Sequence, residues 1–162
     1  MIQSEGNPVP YGATSLEGGV NFALYTRHAE EVTLLLYDLE RKVIGEFVFD
    51  KNNNKTGDVW HTFIANVPDN SSYAFRIKQK GRYTKFYENV ETPVLDPYAK
   101  AVFARQEWGD DKVLYQPLGC ILKDNSFDWQ NDKPLKTPME QMIIYEMHVR
   151  GFTKHPSSNV KD

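Results

Sequence analysis

The sequence predicts a mainly β fold: an immunoglobulin-like antiparallel β-sandwich over residues 1–98, followed by a connecting segment and then a different kind of strand near the C-terminus. Three observations predict it. Short stretches alternate apolar and other residues with a period of two, as half-buried strands do. Turn-forming stretches rich in Asn, Gly, Asp and Lys separate them, at the spacing of a sandwich. No helical period of convincing length occurs before residue 97, which argues against an alternating βα fold there.

Each strand follows from its own pattern. VNFALY, Val20 to Tyr25, puts Val20, Phe22 and Leu24 on one face, and VTLLLY, Val32 to Tyr37, does the same with Val32, Leu34 and Leu36. Val43, Gly45, Phe47 and Phe49 alternate with Ile44, Glu46 and Val48. After KNNNKTGD the alternation resumes with Trp60, Thr62 and Ile64, and YAFRIKQKG sets Tyr73, Phe75 and Ile77 on a common face. Because Trp60 is in phase with Thr62 and Ile64, core packing is favoured for it over a role as a binding surface.

From about Pro97 the regularity stops. Residues 99–139 carry scattered aromatics, including Trp108 and Trp129, and no sustained period. That is too long for an ordinary connection and too aromatic for a free linker, so it reads as an ordered inter-domain segment with a short helix near Pro97 to Arg105. The run IIYEMHV then appears within MIIYEMHVRGFTKHPSS, Met142 to Ser158. An apolar run of this length fits a strand covered on both faces, as in the parallel sheet of a barrel, better than a sandwich edge. Glu146, His148 and Arg150 would then share one face, with a structural Glu146–Arg150 ion pair as the alternative to a functional role.

Composition excludes several classes. The 162 residues are 40% hydrophobic and 25% charged, a globular composition, and 19 basic against 22 acidic residues give a net charge of −3. Nucleic acid is a poor fit to that balance. The four histidines have no metal-type spacing with cysteine or carboxylate, so neither a metal nor any other cofactor is expected. The lone Cys120 reads as a small apolar filler. No run approaches the roughly 20 apolar residues of a membrane span, and MIQSEGNPVPYG lacks the features of a secretory signal.

Seven stretches, in order, carry a resemblance: NPVPYGAT (Asn7 to Thr14), GGVNFALYTRHAEEVTLLLYD (Gly18 to Asp38), KTGDVWH (Lys55 to His61), YAFRI (Tyr73 to Ile77), VLDPYAKAV (Val94 to Val102), FDW (Phe127 to Trp129) and IIYEMHVRGFT (Ile143 to Thr153). Through them the chain resembles the N-terminal part of isoamylase-type glycogen or starch debranching enzymes of the alpha-amylase superfamily. The resemblance implies a carbohydrate-binding-module-like sandwich over 1–98, an inter-domain connection over 99–139, and the start of a catalytic (β/α)8 barrel, cut short, over 140–162.

It also implies the activity of the longer protein, hydrolysis of α-1,6-glucosidic branch linkages in glycogen or amylopectin. Retaining hydrolysis needs a carboxylate nucleophile and a carboxyl acid about 5 Å apart. In this superfamily both follow later barrel strands, so no catalytic residue is assigned to this chain. The expected roles here are bracing the barrel and touching glucan, with sugar contacts at Trp60, at Tyr83 within KGRYTKFY, and at Tyr145, His148 and Arg150. A free-standing glycogen- or starch-binding module, a non-catalytic partner subunit and a sandwich for protein contacts remain alternatives. The expected partner is an α-glucan, with no nucleic acid and no membrane, and assembly with other debranching-enzyme subunits stays open. The expected location is the cytoplasm of a bacterium or the stroma of a plastid, without secretion.

Overall fold

A computed structural model of the chain describes residues 1–79, 92–103, 117–123 and 128–161. It divides into two compact units, Met1–Asn125 and Ser126–Asp162. Among the described residues the first holds ten strands: β1 Ile2–Ser4, β2 Gly12–Leu16, β3 Gly19–Tyr25, β4 Ala29–Tyr37, β5 Val43–Val48, β6 Lys55–Thr56, β7 Val59–Ala65, β8 Ser72–Gln79, β9 Val102–Phe103 and β10 Leu118–Cys120. One sheet has the order β1-β7-β3-β2 with β6 beside β7, and the other has the order β5-β4-β8-β10-β9. All of the pairings are antiparallel.

The alternation read from the sequence places the core. Val20, Phe22 and Leu24 of β3, with Trp60 and Ile64 of β7, form one buried cluster with Val32, Leu34 and Leu36 of β4 and Tyr73 and Phe75 of β8. Their rings meet edge to face, the arrangement the ring quadrupoles favour: Phe22–Tyr73 with centroids 5.2 Å apart and Tyr73–Phe75 at 5.8 Å.

Residues read as outward-facing are covered as well. On the second sheet, Leu35, Tyr37, Ala74 and Leu118 form a separate buried cluster against Phe103. The expected helix at 97–105 is absent over its described residues: Pro97 and Tyr98 lie in a turn, and Val102–Phe103 is a strand paired with β10. The reason is sheet growth. Pairing β10 onto β8 and β9 onto β10 satisfies their backbone groups, and Leu118 and Phe103 join the cluster of Leu35, Tyr37 and Ala74 on that side of the sheet.

The outer face of the first sheet is covered by polar means. β1 and β2 lie on opposite edges, so the chain between Ser4 and Gly12 must cross β7 and β3. Four buried side chains hold this strap. The Asn21 amide accepts from Asn7 N–H at 2.7 Å and donates to Asn7 C=O at 2.9 Å, standing in for a neighbouring strand. His61 Nδ1 bonds the Glu5 carbonyl at 3.0 Å, Asn54 donates to the carbonyls of Ser4 and Glu5, and Thr62 Oγ1 donates to Ser4 C=O. The strap lies so close that a Cβ on Gly6, whose φ is +75°, would come within 2.4 Å of the Thr62 carbonyl carbon.

The second unit contains a 3-10 turn at Met139–Gln141, the α-helix Val149–Thr153 and a 3-10 turn at Pro156–Ser158. The strand expected through Val149 is not formed. Met142 and His148 have extended dihedrals, yet no described residue between them belongs to a ladder, and Val149 begins a helix. A buried parallel strand is stabilised by neighbours on both edges, and among the described residues it has none.

Asn21→Ala is expected to lower the unfolding free energy by about 2–3 kcal/mol, because it orphans both backbone groups of Asn7. Gly6→Ala should cost at least about 1–2 kcal/mol for its left-handed backbone alone. Urea unfolding checks both, and the double variant should lose less than the sum, since each change frees the same strap.

Candidate functional site

One corner of the sandwich, between β8 and β9, is built on a buried carboxylate. Tyr73 lies in the core, and its hydroxyl donates to Asp96 Oδ2 at 2.7 Å. The other oxygen, Oδ1, accepts the backbone N–H of Tyr98 at 2.8 Å, and Asp96 C=O accepts from Ala99 N–H at 3.1 Å. The Asp96 side chain therefore closes the turn Asp96-Pro97-Tyr98 while it is only 1% exposed. Burial pushes its carboxyl above the ordinary value, against the two hydrogen bonds that favour the charged form. Burial likewise drives the Tyr73 hydroxyl far above its ordinary range, reinforced by the Asp96 charge, so Tyr73 remains a donor.

Tyr98 projects from this corner at 46% exposure, and its ring meets that of half-buried Tyr11 with centroids 4.9 Å apart and planes tilted by 59°. Gly12, next to Tyr11, has φ +87°, and a Cβ there would stand 2.6 Å from the Tyr98 carbonyl oxygen. The two segments can approach this closely because position 12 has no side chain.

The residues expected to touch sugar are scattered. Trp60 is 0% exposed, so its ring is core packing and offers no face to a pyranose. Its alternation with Thr62 and Ile64 had pointed that way. Tyr83 and the stretch around it lie outside the described residues, as do Trp108 and Phe127 of FDW, whereas Trp129 is 65% exposed. In the second unit Tyr145 is 77% exposed, and His148 and Arg150 are also exposed. His148 caps the helix Val149–Thr153, its Nδ1 accepting from Gly151 N–H at 3.0 Å, and Arg150 lies inside that helix. The alternative Glu146–Arg150 ion pair is not formed; the ion pairs among the described residues are Arg27–Asp58, Arg76–Glu46 and Lys123–Asp69.

No group of three or more His, Cys, Asp or Glu among the described residues could hold a metal ion. His61 has both ring nitrogens engaged, with Glu5 C=O and with Thr56 Oγ1 at 2.9 Å. Cys120 is half-buried, and burial raises its thiol, which suits an inert packing residue. Asp96, Tyr98 and Tyr11 were not singled out by sequence. The available signal was the Pro-Tyr pair in two of the resembling stretches, NPVPYGAT and VLDPYAKAV.

Residues 10–99, which include this corner and both sheets' central strands, match carbohydrate-binding module 48, the isoamylase N-terminal domain. The chain belongs to that family. The chain is 45% identical over 168 residues to isoamylase 1, chloroplastic, of Oryza sativa subsp. japonica, which covers 96% of this chain and 21% of that protein. It is 30% identical over 175 residues to the glycogen debranching enzyme of Yersinia pseudotuberculosis serotype IB (strain PB1/+), covering 96% and 25%. Among solved structures, the GBS pullulanase SAP in complex with maltotetraose is similar in fold, with a TM-score of 0.51 at 22% identity over 70% of this chain and 14% of that one. The chain thus spans about a fifth to a quarter of the length of the curated relatives it matches. No helix among the described residues is long and apolar enough to cross a membrane.

The raised carboxyl of Asp96 sets a direction for pH dependence. The folded state holds the Asp96 proton more tightly than the unfolded one, so that contribution is fully present below the unfolded value and is lost as pH rises through the folded one. The stability of the wild-type chain minus that of Asp96→Asn, read by urea unfolding, should therefore fall as pH rises out of the ordinary carboxylate range. Asp96→Ala, which leaves the Tyr73 hydroxyl without its acceptor, should cost about 1–3 kcal/mol, the larger values at low pH.

Proposed function

We propose that this chain is the N-terminal stretch of an enzyme that hydrolyses α-1,6-glucosidic branch linkages of glycogen or amylopectin. Within it, residues 1–98 would be the glucan-contacting or barrel-bracing module, 99–139 the connection, and 140–162 the opening segment of the catalytic (β/α)8 barrel. The observation that carries the reading is the family match over residues 10–99, joined to likeness with isoamylases and glycogen debranching enzymes over 96% of the chain. The exposed apolar run Met142 to Val149, with Ile143 at 99% exposure, is what a strand awaiting neighbours in a barrel would look like.

The stretch itself has no hydrolytic role. Asp96, the buried carboxylate of the sandwich, has both oxygens engaged by Tyr73 and Tyr98 and cannot serve as nucleophile or acid. Tyr145, His148 and Arg150 are proposed as glucan contacts of the assembled groove rather than as proton-transfer groups. An α-glucan is the proposed partner, and subunits of the same enzyme class are proposed as further partners. The proposed compartment is the plastid stroma or the bacterial cytoplasm, in keeping with chloroplastic and bacterial relatives.

Reducing ends released from glycogen test this reading. The full gene product is expected to release linear chains, and purified residues 1–162 are expected to release none. Activity of the short chain would overturn its non-catalytic assignment, and an inactive full product would overturn the debranching reading.

A further inference from the structure

We propose that Tyr11 and Tyr98 form a glucan-contact platform at the Asp96 corner of the sandwich, taking the apolar face of an α-linked glucose unit. This deepens the reading of the module as a glucan-contacting unit and rests on it. Sugars offer aromatic rings a face of C–H groups and a rim of hydroxyls, so a platform needs an open ring held still with free polar atoms beside it.

The corner has each of these. Tyr98 is 46% exposed and stacks at a tilt on Tyr11, at 4.9 Å between centroids. The backbone behind the ring is fixed by the Asp96 carboxylate, which takes Tyr98 N–H at 2.8 Å, and by the close seat of Gly12 against the Tyr98 carbonyl. Asp96 is in turn held by Tyr73 from within the core, so the rings are ordered before any sugar arrives. Such preorganisation spares the cost of ordering on binding, and tyrosine adds large rigid contact area with few rotatable bonds. Neither the Tyr11 nor the Tyr98 hydroxyl has a hydrogen-bond partner among the described residues, which leaves both for sugar hydroxyls.

Other described rings of this unit fit less well. Trp60, Phe22, Tyr73 and Phe75 are fully buried and Tyr37 nearly so. Tyr25 is 43% exposed, but its hydroxyl accepts from Arg27 Nη2 at 3.0 Å, within a group that also ties Arg27 to Asp58.

The test uses the 162-residue chain with maltoheptaose, a linear α-glucan oligosaccharide, and with glycogen in native affinity gels. Wild-type chain should be retarded by glycogen; Tyr98→Leu and Tyr11→Leu, which keep apolar bulk but lose the ring, should each weaken apparent affinity about tenfold. Tyr25→Ala should bind as wild type. A second readout needs no variant: in the NMR spectrum of the unmodified chain, ring resonances of Tyr11 and Tyr98 should shift on adding maltoheptaose while those of Tyr25 do not. Binding by wild type with unmoved Tyr11 and Tyr98 resonances and unweakened leucine variants would overturn the platform and leave the glucan-contact reading standing. No retardation and no shift for wild type would overturn both.

Discussion

The hydrogen bond from Tyr73 to Asp96 joins the interior of the sandwich to the turn that leads from β8 toward β9 and β10. Tyr73 packs against Phe22 of the opposite sheet and Phe75 of its own strand, so its ring position is set by both layers. At 2.7 Å and buried, a hydroxyl on a carboxylate is a charge-assisted bond, stronger than a neutral one and expensive to leave half made. Asp96 passes that constraint on to Tyr98 N–H and, through the turn, to the start of the segment that supplies β9 and β10. Those two strands complete the second sheet and add Leu118 and Phe103 to the apolar cluster of Leu35, Tyr37 and Ala74.

Both sheets thus carry cover on both faces, by opposite chemistry. The second sheet is covered by apolar contact among Leu35, Tyr37, Ala74, Leu118 and Phe103. The first is covered by a strap held at the carbonyls of Ser4 and Glu5 by Asn54, His61 and Thr62, and at both backbone groups of Asn7 by Asn21. Apolar cover gains from area, whereas polar cover is specific in register, because each carbonyl and N–H must find its partner or cost free energy. With the core side chains of β3, β4, β7 and β8 buried, the exposed tyrosines among the described residues of this unit include Tyr98 at the Asp96 corner. Tyr98 is there because Asp96 holds it there.

Much of this was legible in the sequence where one physical signal dominated. Period-two alternation marked the strands containing Phe22, Leu34, Trp60 and Phe75, and it placed Trp60 in the core even though tryptophan is a common sugar contact. The same signal misled at Leu35 and Tyr37: an alternating strand read as half-buried assumes water on its other face, and here that face is buried in a cluster with Ala74, Leu118 and Phe103. The run LLL in β4 was the available hint of burial on both faces. Asp96 was harder to see, because a carboxylate in a Pro-containing turn is ordinary until a tyrosine hydroxyl arrives from another strand. The run IIYEMHV shows the converse limit: it has the composition of a central strand, but a strand is made by its neighbours, and Val149–Thr153 is helical where the described residues provide none.

The central claim is that this module belongs to a longer glucan-debranching polypeptide, and the mass of the native gene product tests it most directly. An immunoblot of source-cell extract with antibody against the 18.7 kDa chain should show a band several-fold heavier, in line with relatives of which the chain covers 21–25%. A single band near 18.7 kDa would contradict the account and leave a free-standing module in its place.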